Sequence, residues 1–173
     1  TEENFSVYED DFRVSYVNVR AIDSKEKLSV VLAVDCSKSI KPDQFLKNKE
    51  AIGRSIARLT QRANISLGRF NNNAIFDPMF SDNRDELLAK LQTFSRQGSF
   101  TLLYNCLYDS IDFLSKTQGS RKAVFIWTDG KDEGSSISED DLALFSRQKE
   151  IPIIFISSLQ SKNLSSMKRI AKI

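Results

Sequence analysis

Three stretches of the sequence hold oxygen-bearing side chains spaced for work on a hard cation: Asp35-Cys36-Ser37-Lys38-Ser39, Thr101 within Ser99-Phe100-Thr101-Leu102-Leu103-Tyr104, and Asp129 within Thr128-Asp129-Gly130-Lys131-Asp132. A carboxylate followed by hydroxyls at alternate positions offers hard donors, which suit Mg2+, Mn2+ or Ca2+ better than zinc or copper. If Asp35 and Asp129 meet against apolar strand ends, the two carboxylates repel each other or shift their pKa, and a divalent cation between them relieves both costs. Mg2+ demands octahedral geometry and keeps water, so protein hydroxyls with water-bridged carboxylates leave one position open. A partner's carboxylate would fit there. Mg2+ or Mn2+ is therefore the expected ion, ahead of Ca2+.

The elements that must position these residues are short apolar strands alternating with amphipathic helices. Leu28 to Val34 has three valines and no charge, which reads as a strand buried on both faces and too short for an ordinary helix. Ala123 to Thr128 repeats the pattern and ends in Asp129-Gly130 as the first ends in Asp35. Ile151 to Ile156 supplies a third strand, with Pro152 tolerable only near its start. Pro42 to Ala63 puts Phe45, Ile52, Ile56 and Leu59 on one helical face, with Pro42 in the first turn. Ile65 to Phe70 and Ala74 to Phe80 predict a hairpin through Asn71-Asn72-Asn73, residues that tolerate the left-handed conformation. Asp85 to Phe94 predicts a short helix and Ser95 to Phe100 a loop pivoting on Gly98. Thr101 opens a helix with Leu103, Leu107, Ile111 and Leu114 inward. Beyond the loop Lys131 to Ile137, Ser138 caps another helix with Asp141 in the reciprocal position. Ser161 to Ile173 predicts a last helix with Leu164, Met167 and Ile170 inward.

This alternation predicts an α/β fold: a Rossmann-like, doubly wound, mostly parallel sheet flanked by helices. Ligands of open α/β sheets sit at the carboxyl ends of the strands, where Asp35, Ser37 and Ser39 fall. Residues 1 to 24 predict an N-terminal β-hairpin extension, Phe5 to Tyr8 with Phe12 to Val19, or the tail of a preceding β-domain. An isolated hairpin is marginal in water, so these strands must pair or pack elsewhere, an edge of the main sheet being one option. Ala21 to Lys27 marks the boundary, and residues 25 to 173 form the main domain.

At 173 residues the chain suits one substantial core. Its 25 Lys+Arg against 23 Asp+Glu leave only +2, so no basic field advertises nucleic acid or a membrane surface. The absence of histidine removes Ser–His and Cys–His nucleophile pairs, His-ligated zinc and imidazole acid–base chemistry. Cys36 and Cys106 are too few for a disulfide framework and form no Cys-x-x-Cys pair, so each is expected to be a buried thiol. No apolar run approaches the roughly 20 residues of a membrane span, so direct membrane insertion is not expected, and the first residues lack the form of a signal peptide. The chain could still be a mature or excised part of an exported protein.

In this order and at these intervals, the three stretches resemble the metal-ion-dependent adhesion site, MIDAS, of von Willebrand factor A (VWA) domains. By that resemblance Asp35, Ser37, Ser39, Thr101 and Asp129 hold the ion, and the domain binds a protein ligand through an Asp or Glu. The details are more similar to bacterial VWA proteins than to integrin inserted domains. Phe5-Ser6-Val7-Tyr8-Glu9-Asp10 resembles the end of the small β-domain that precedes the VWA module in many of them. The resemblance implies an extracytoplasmic setting, periplasmic, cell-surface or secreted, with an extracellular matrix or host protein among the candidate partners. Phe100 stands where the family often has Gly, and Asn105 where an acidic residue is common, and both departures bear on the shape of the second loop. The family usually adds a strand and a final helix, which implies a truncated chain or an edge completed otherwise, for instance by the N-terminal hairpin.

Blander readings compete residue by residue. Ser37, Ser39 and Thr101 could each cap a helix, and Asp35 and Asp129 could satisfy loop amides. Asp132 and Glu133 could stand behind the ion ligands or against a partner, as could Phe100 and Asn105, or the two acids could belong to a solvated loop. Lys162, Lys168, Arg169 and Lys172 read as the wet face of the last helix, and Phe70, Phe76, Phe80 and Trp127 as core. Three functions follow: a non-enzymatic, metal-dependent interaction module; a hydrolase, metal-assisted or using Ser37 or Ser39 with a base such as Lys38; and an assembly subunit of a bacterial envelope complex. Without a histidine base or a second metal cluster, the hydrolase ranks below binding.

Overall fold

In the computed structural model, which describes residues 8–9, 12–13, 26–157 and 163–171, the chain runs β1 (Tyr8–Glu9), β2 (Phe12–Arg13), β3 (Leu28–Asp35), α1 (Pro42–Leu59), β4 (Ala63–Phe70), β5 (Ala74–Phe76), α2 (Arg84–Thr93), α3 (Leu103–Ser115), β6 (Lys122–Trp127), α4 (Glu139–Lys149), β7 (Ile153–Ile156) and α5 (Leu164–Ala171). The main sheet has the order β5-β4-β3-β6-β7. Pairing is parallel throughout except between β4 and β5.

β3 is apolar along its length because both of its faces are covered. Val30, Leu32 and Val34 enter one core with Phe45, Ile52 and Ile56 of α1 and Leu87 and Leu91 of α2. Val31 and Ala33 enter a second with Leu103, Leu107 and Ile111 of α3, Leu142 of α4 and Ile170 of α5. From β3 the chain winds to β4 on one side and later to β6 on the other. The switch between these directions lies at the carboxyl ends of β3 and β6, where open α/β sheets place their ligand crevice. With Val34 opposite Trp127, Asp35 and Thr128 emerge side by side.

Several boundaries differ from those read in the sequence. α1 stops at Leu59 because Ala63, expected at the helix end, is already the first paired residue of β4 opposite Leu28. β5 covers only Ala74–Phe76; Pro78 follows and has no N–H to give, and the chain rejoins the sheet in a single bridge, Ser81 to Ile65. β7 starts after Pro152 rather than at Ile151. Ser138 caps α4 by accepting the Asp141 N–H at 3.1 Å, but Asp141 returns the contact to the serine hydroxyl, at 2.6 Å, instead of to its backbone.

β1 and β2 pair antiparallel in a two-stranded sheet of their own. The expected hairpin is thus present in these strands, and among the described residues they pair with each other and not with the main sheet, whose edges are β5 and β7. The remainder of that hairpin, the boundary before Glu26, and Lys162 and Lys172 lie outside the described residues. In α5, Met167 and Ile170 are buried as expected, while Arg169 is more than a wet-face cation, since it pairs with Glu139 of α4 at 2.8 Å.

Candidate metal centre

β3 delivers Asp35 into the crevice and keeps pairing beyond it, Cys36 N–H donating to Phe70 O at 2.9 Å. The Asp35 side chain is buried. Its Oδ1 accepts the Ser37 N–H at 2.9 Å and its Oδ2 the Thr128 hydroxyl at 2.8 Å. Thr128 Oγ1 in turn accepts the Gly130 N–H at 3.0 Å. Burial pushes the Asp35 carboxyl from 3.8 up to about 6, against the pull of Ser37 and Thr128 and with a small push from the Asp129 charge. Ser37 is buried and Ser39 exposed, and their hydroxyls lie 2.8 Å apart. Neither caps α1, whose N-cap is Lys41 with no side-chain bond.

Thr101 is fully buried and its Oγ1 makes no hydrogen bond. It precedes α3, which starts at Leu103 and receives no cap from its N-cap residue. The first N–H groups of α3 are taken from across the loop instead: Tyr104 N–H donates to Asp132 Oδ1 at 3.2 Å and Asn105 N–H to Ser135 Oγ at 3.1 Å. Asp132 also accepts from the Gly134 and Ser135 N–H groups. Asn105 Oδ1 accepts from the N–H groups of Ser136 and Ile137. Both residues therefore shape the third loop. Glu133 N–H donates to Thr101 O at 2.8 Å, and its carboxyl is held below the ordinary range first by Lys131 and least by the neighbouring Thr101, whose Oγ1 nevertheless has no partner within hydrogen-bonding geometry.

Asp129 is half-buried, its Oδ1 accepting the Lys131 N–H at 3.0 Å. Gly130 has φ 79°, and a Cβ there would come within 2.8 Å of Met167 of α5, so both the backbone conformation and the packing call for glycine. The second loop is tied to the first by Gln97 N–H to Cys36 O at 2.7 Å and by Arg96 Nη2 to Lys38 O at 2.8 Å. Gly98, at φ 78° against Asn72, is the expected pivot. Asn72 Oδ1 accepts the N–H groups of Ser99 and Phe100 at 3.1 and 3.2 Å.

The sequence matches the family model of the von Willebrand factor type A domain over residues 29–173. The chain belongs to this family. Its fold is similar to that of the conserved hypothetical protein BatB from Bacteroides thetaiotaomicron, with TM-score 0.68, 16% identity, and coverage of 84% of this chain and 85% of that one. It is also similar to an aerotolerance-related membrane protein from Bacteroides fragilis, with TM-score 0.66, 15% identity, and coverage of 84% and 87%. At such identities the likeness is one of fold. No curated protein matches the sequence. Among the described residues of this VWA domain, no helix is long and apolar enough to cross a membrane.

Hydrogen bonds join the loops of this VWA domain that carry all five candidate ligands. Asp35 is linked to the Asp129 loop through Thr128, and the Thr101 loop is linked to both others. Among the described residues no group of three or more Asp, Glu or Cys side chains is placed to hold a metal, so any ion here depends on the hydroxyls as much as on the two carboxylates. The donor set fits Mg2+ or Mn2+: it is all hard oxygen, and it holds a buried carboxylate and an unpaired buried hydroxyl whose costs a cation offsets. Cys36 takes no part, since burial pushes its thiol up to about 12, and it fills space as expected. Sequence reasoning missed Thr128 as the partner of Asp35, although a hydroxyl ending the neighbouring strand one residue before Asp129 was a usable clue. It also missed Asn72, whose contacts lie 27 and 28 residues away along the chain.

Proposed function

We propose that this VWA domain is a divalent-cation-dependent protein-interaction module. Ser37, Ser39 and Thr101 would hold Mg2+ or Mn2+ with Asp35 and Asp129, directly or through water, and an Asp or Glu of the partner would complete the shell. Bound there, the ion supplies a positive charge able to accept a carboxylate. The observation that carries this reading is the set of three hydroxyls that cap no helix, with Thr101 Oγ1 buried and unbonded. An unmet buried hydroxyl is costly unless something else uses it. A serine nucleophile would need a base, and the chain has no histidine to supply the usual one. An extracytoplasmic place at a bacterial envelope belongs to the same proposal, supported by the description of the Bacteroides fragilis neighbour as a membrane protein. The test is a Mg2+ titration followed by thermal melting. The midpoint should rise with Mg2+, return with EDTA, and stay put in Asp35→Ala; a midpoint indifferent to Mg2+ and Mn2+ refutes the ion site.

A further inference from the structure

The second loop is tethered along most of its length, yet it shows a phenylalanine to solvent. Gln97, Ser99, Phe100 and Leu102 each donate a backbone N–H, to Cys36 O, Asn72 Oδ1, Asn72 Oδ1 and Asn71 O respectively. Gly98 between them has φ 78°, and a Cβ there would come within 2.5 Å of Asn72 Oδ1, so the loop packs closely at this point. Phe100 is nevertheless 54% exposed, while Thr101, the next residue, is fully buried. A lone exposed apolar side chain needs no explanation. A ring carried on a pinned backbone, one residue from an unbonded buried hydroxyl, is different, because the ordering cost of the loop backbone is already met before anything binds. Aromatic side chains in such positions are the usual anchors of protein interfaces. Lys38, exposed between Ser37 and Ser39, adds positive charge to the same rim.

We infer that Phe100 is the specificity-determining contact of this face. It selects a partner segment in which the Asp or Glu reaching the crevice stands directly beside a bulky apolar residue, which packs on the exposed ring. This rests on the metal-dependent reading above and adds the chemistry of the partner's neighbouring side chain.

The test uses fluorescein-labelled peptides of the form Gly-Ser-Asp-Xaa-Ser-Gly and Gly-Ser-Xaa-Asp-Ser-Gly, with Xaa as Leu, Phe, Ser or Lys. Anisotropy is read with the whole chain in Mg2+ and in EDTA. The expected result is Mg2+-dependent binding about tenfold tighter for Leu or Phe than for Ser in at least one series. Phe100→Ala should bring the Leu and Phe peptides down to the level of Ser, and Phe100→Leu should restore part of the preference. Thermal melting of each variant reads out its folding. Mg2+-dependent binding of all acidic peptides without regard to Xaa, or a preference that survives in Phe100→Ala, overturns the role of Phe100 and leaves the ion-dependent reading standing. If no acidic peptide binds in Mg2+, both fall.

Discussion

The two ends of the main sheet handle polar groups in opposite ways. At the amino ends of the strands, polar groups find partners within the chain. Glu26, just before β3, accepts both the N–H and the hydroxyl of Ser120, at 2.7 and 2.8 Å, and Arg121 donates to Glu26 O at 2.9 Å. Asn83 caps α2 by accepting the Asp85 and Glu86 N–H groups. At the carboxyl ends the chain leaves gaps. The buried side-chain polar atoms without a partner among the described residues, Arg96 Nε, Thr101 Oγ1 and Ser157 Oγ, all lie there, as does the buried Asp35 carboxylate. Poor capping chemistry is not the cause, because α4 starts on the same rim with an ordinary Ser138 cap. The same chain that satisfies one rim leaves the other incomplete, and the incompleteness gathers around one crevice.

If that contrast reflects a site reserved for a cation, the ion-free protein should be strained by its own ligands. The largest effect is expected at Asp35. The folded chain holds this proton up to about 6 and the unfolded chain releases it near 3.8, so the folded state binds more protons between those values. Stability of the ion-free protein then rises as pH falls from 7 through 6 toward 3.8, by about 3 kcal/mol in full from this group. Asp35→Asn keeps an acceptor for the Ser37 N–H and can donate to Thr128 Oγ1. It should raise the ion-free midpoint at pH 7.5 and flatten this part of the pH dependence, as read by urea melts of wild type and variant at pH 4.5 and 7.5. Equal slopes for the two proteins would contradict the assignment. Next in size is the ion itself: Mg2+ at a hundredfold its Kd should add about 2.7 kcal/mol if it binds only the folded state. Asp35→Asn should remove that gain while keeping its ion-free advantage.

How much of this contrast was legible in the sequence depends on how local its causes are. β3 and β6 were legible because both faces of each strand are covered, which removes alternation and leaves continuous apolar runs. The ligand candidates were legible because strand ends and hydroxyl spacing are local. The capping of α3 was not, since Asp132 and Ser135 reach it from some 30 residues away. Only that contact distinguishes a Thr101 hydroxyl used as a cap from one left over. The shortness of β5 was half-legible: Pro78 marked the break, but the apolar Met79 and Phe80 suggested that the strand continued. Phe100 could be noticed as unusual, whereas its exposure needed the fold.

Two smaller substitutions sharpen the comparison by their signs. Thr101→Val replaces an unbonded buried hydroxyl with a methyl group of similar shape. It should stabilise the ion-free chain by about 1 kcal/mol and shrink the increment from Mg2+, so two melts, with and without the ion, move in opposite directions relative to wild type. Asn83→Ala at the opposite rim should do the reverse of the first. It strips the cap from α2, leaves the Asp85 and Glu86 N–H groups to water, and should cost about 1 kcal/mol whether or not Mg2+ is present. Asn83 is exposed, so water can take over its bonds and the loss stays small. Loss of stability in both variants would mean that the Thr101 hydroxyl is already bonded in the ion-free chain, and the asymmetry between the rims would then say nothing about a ligand.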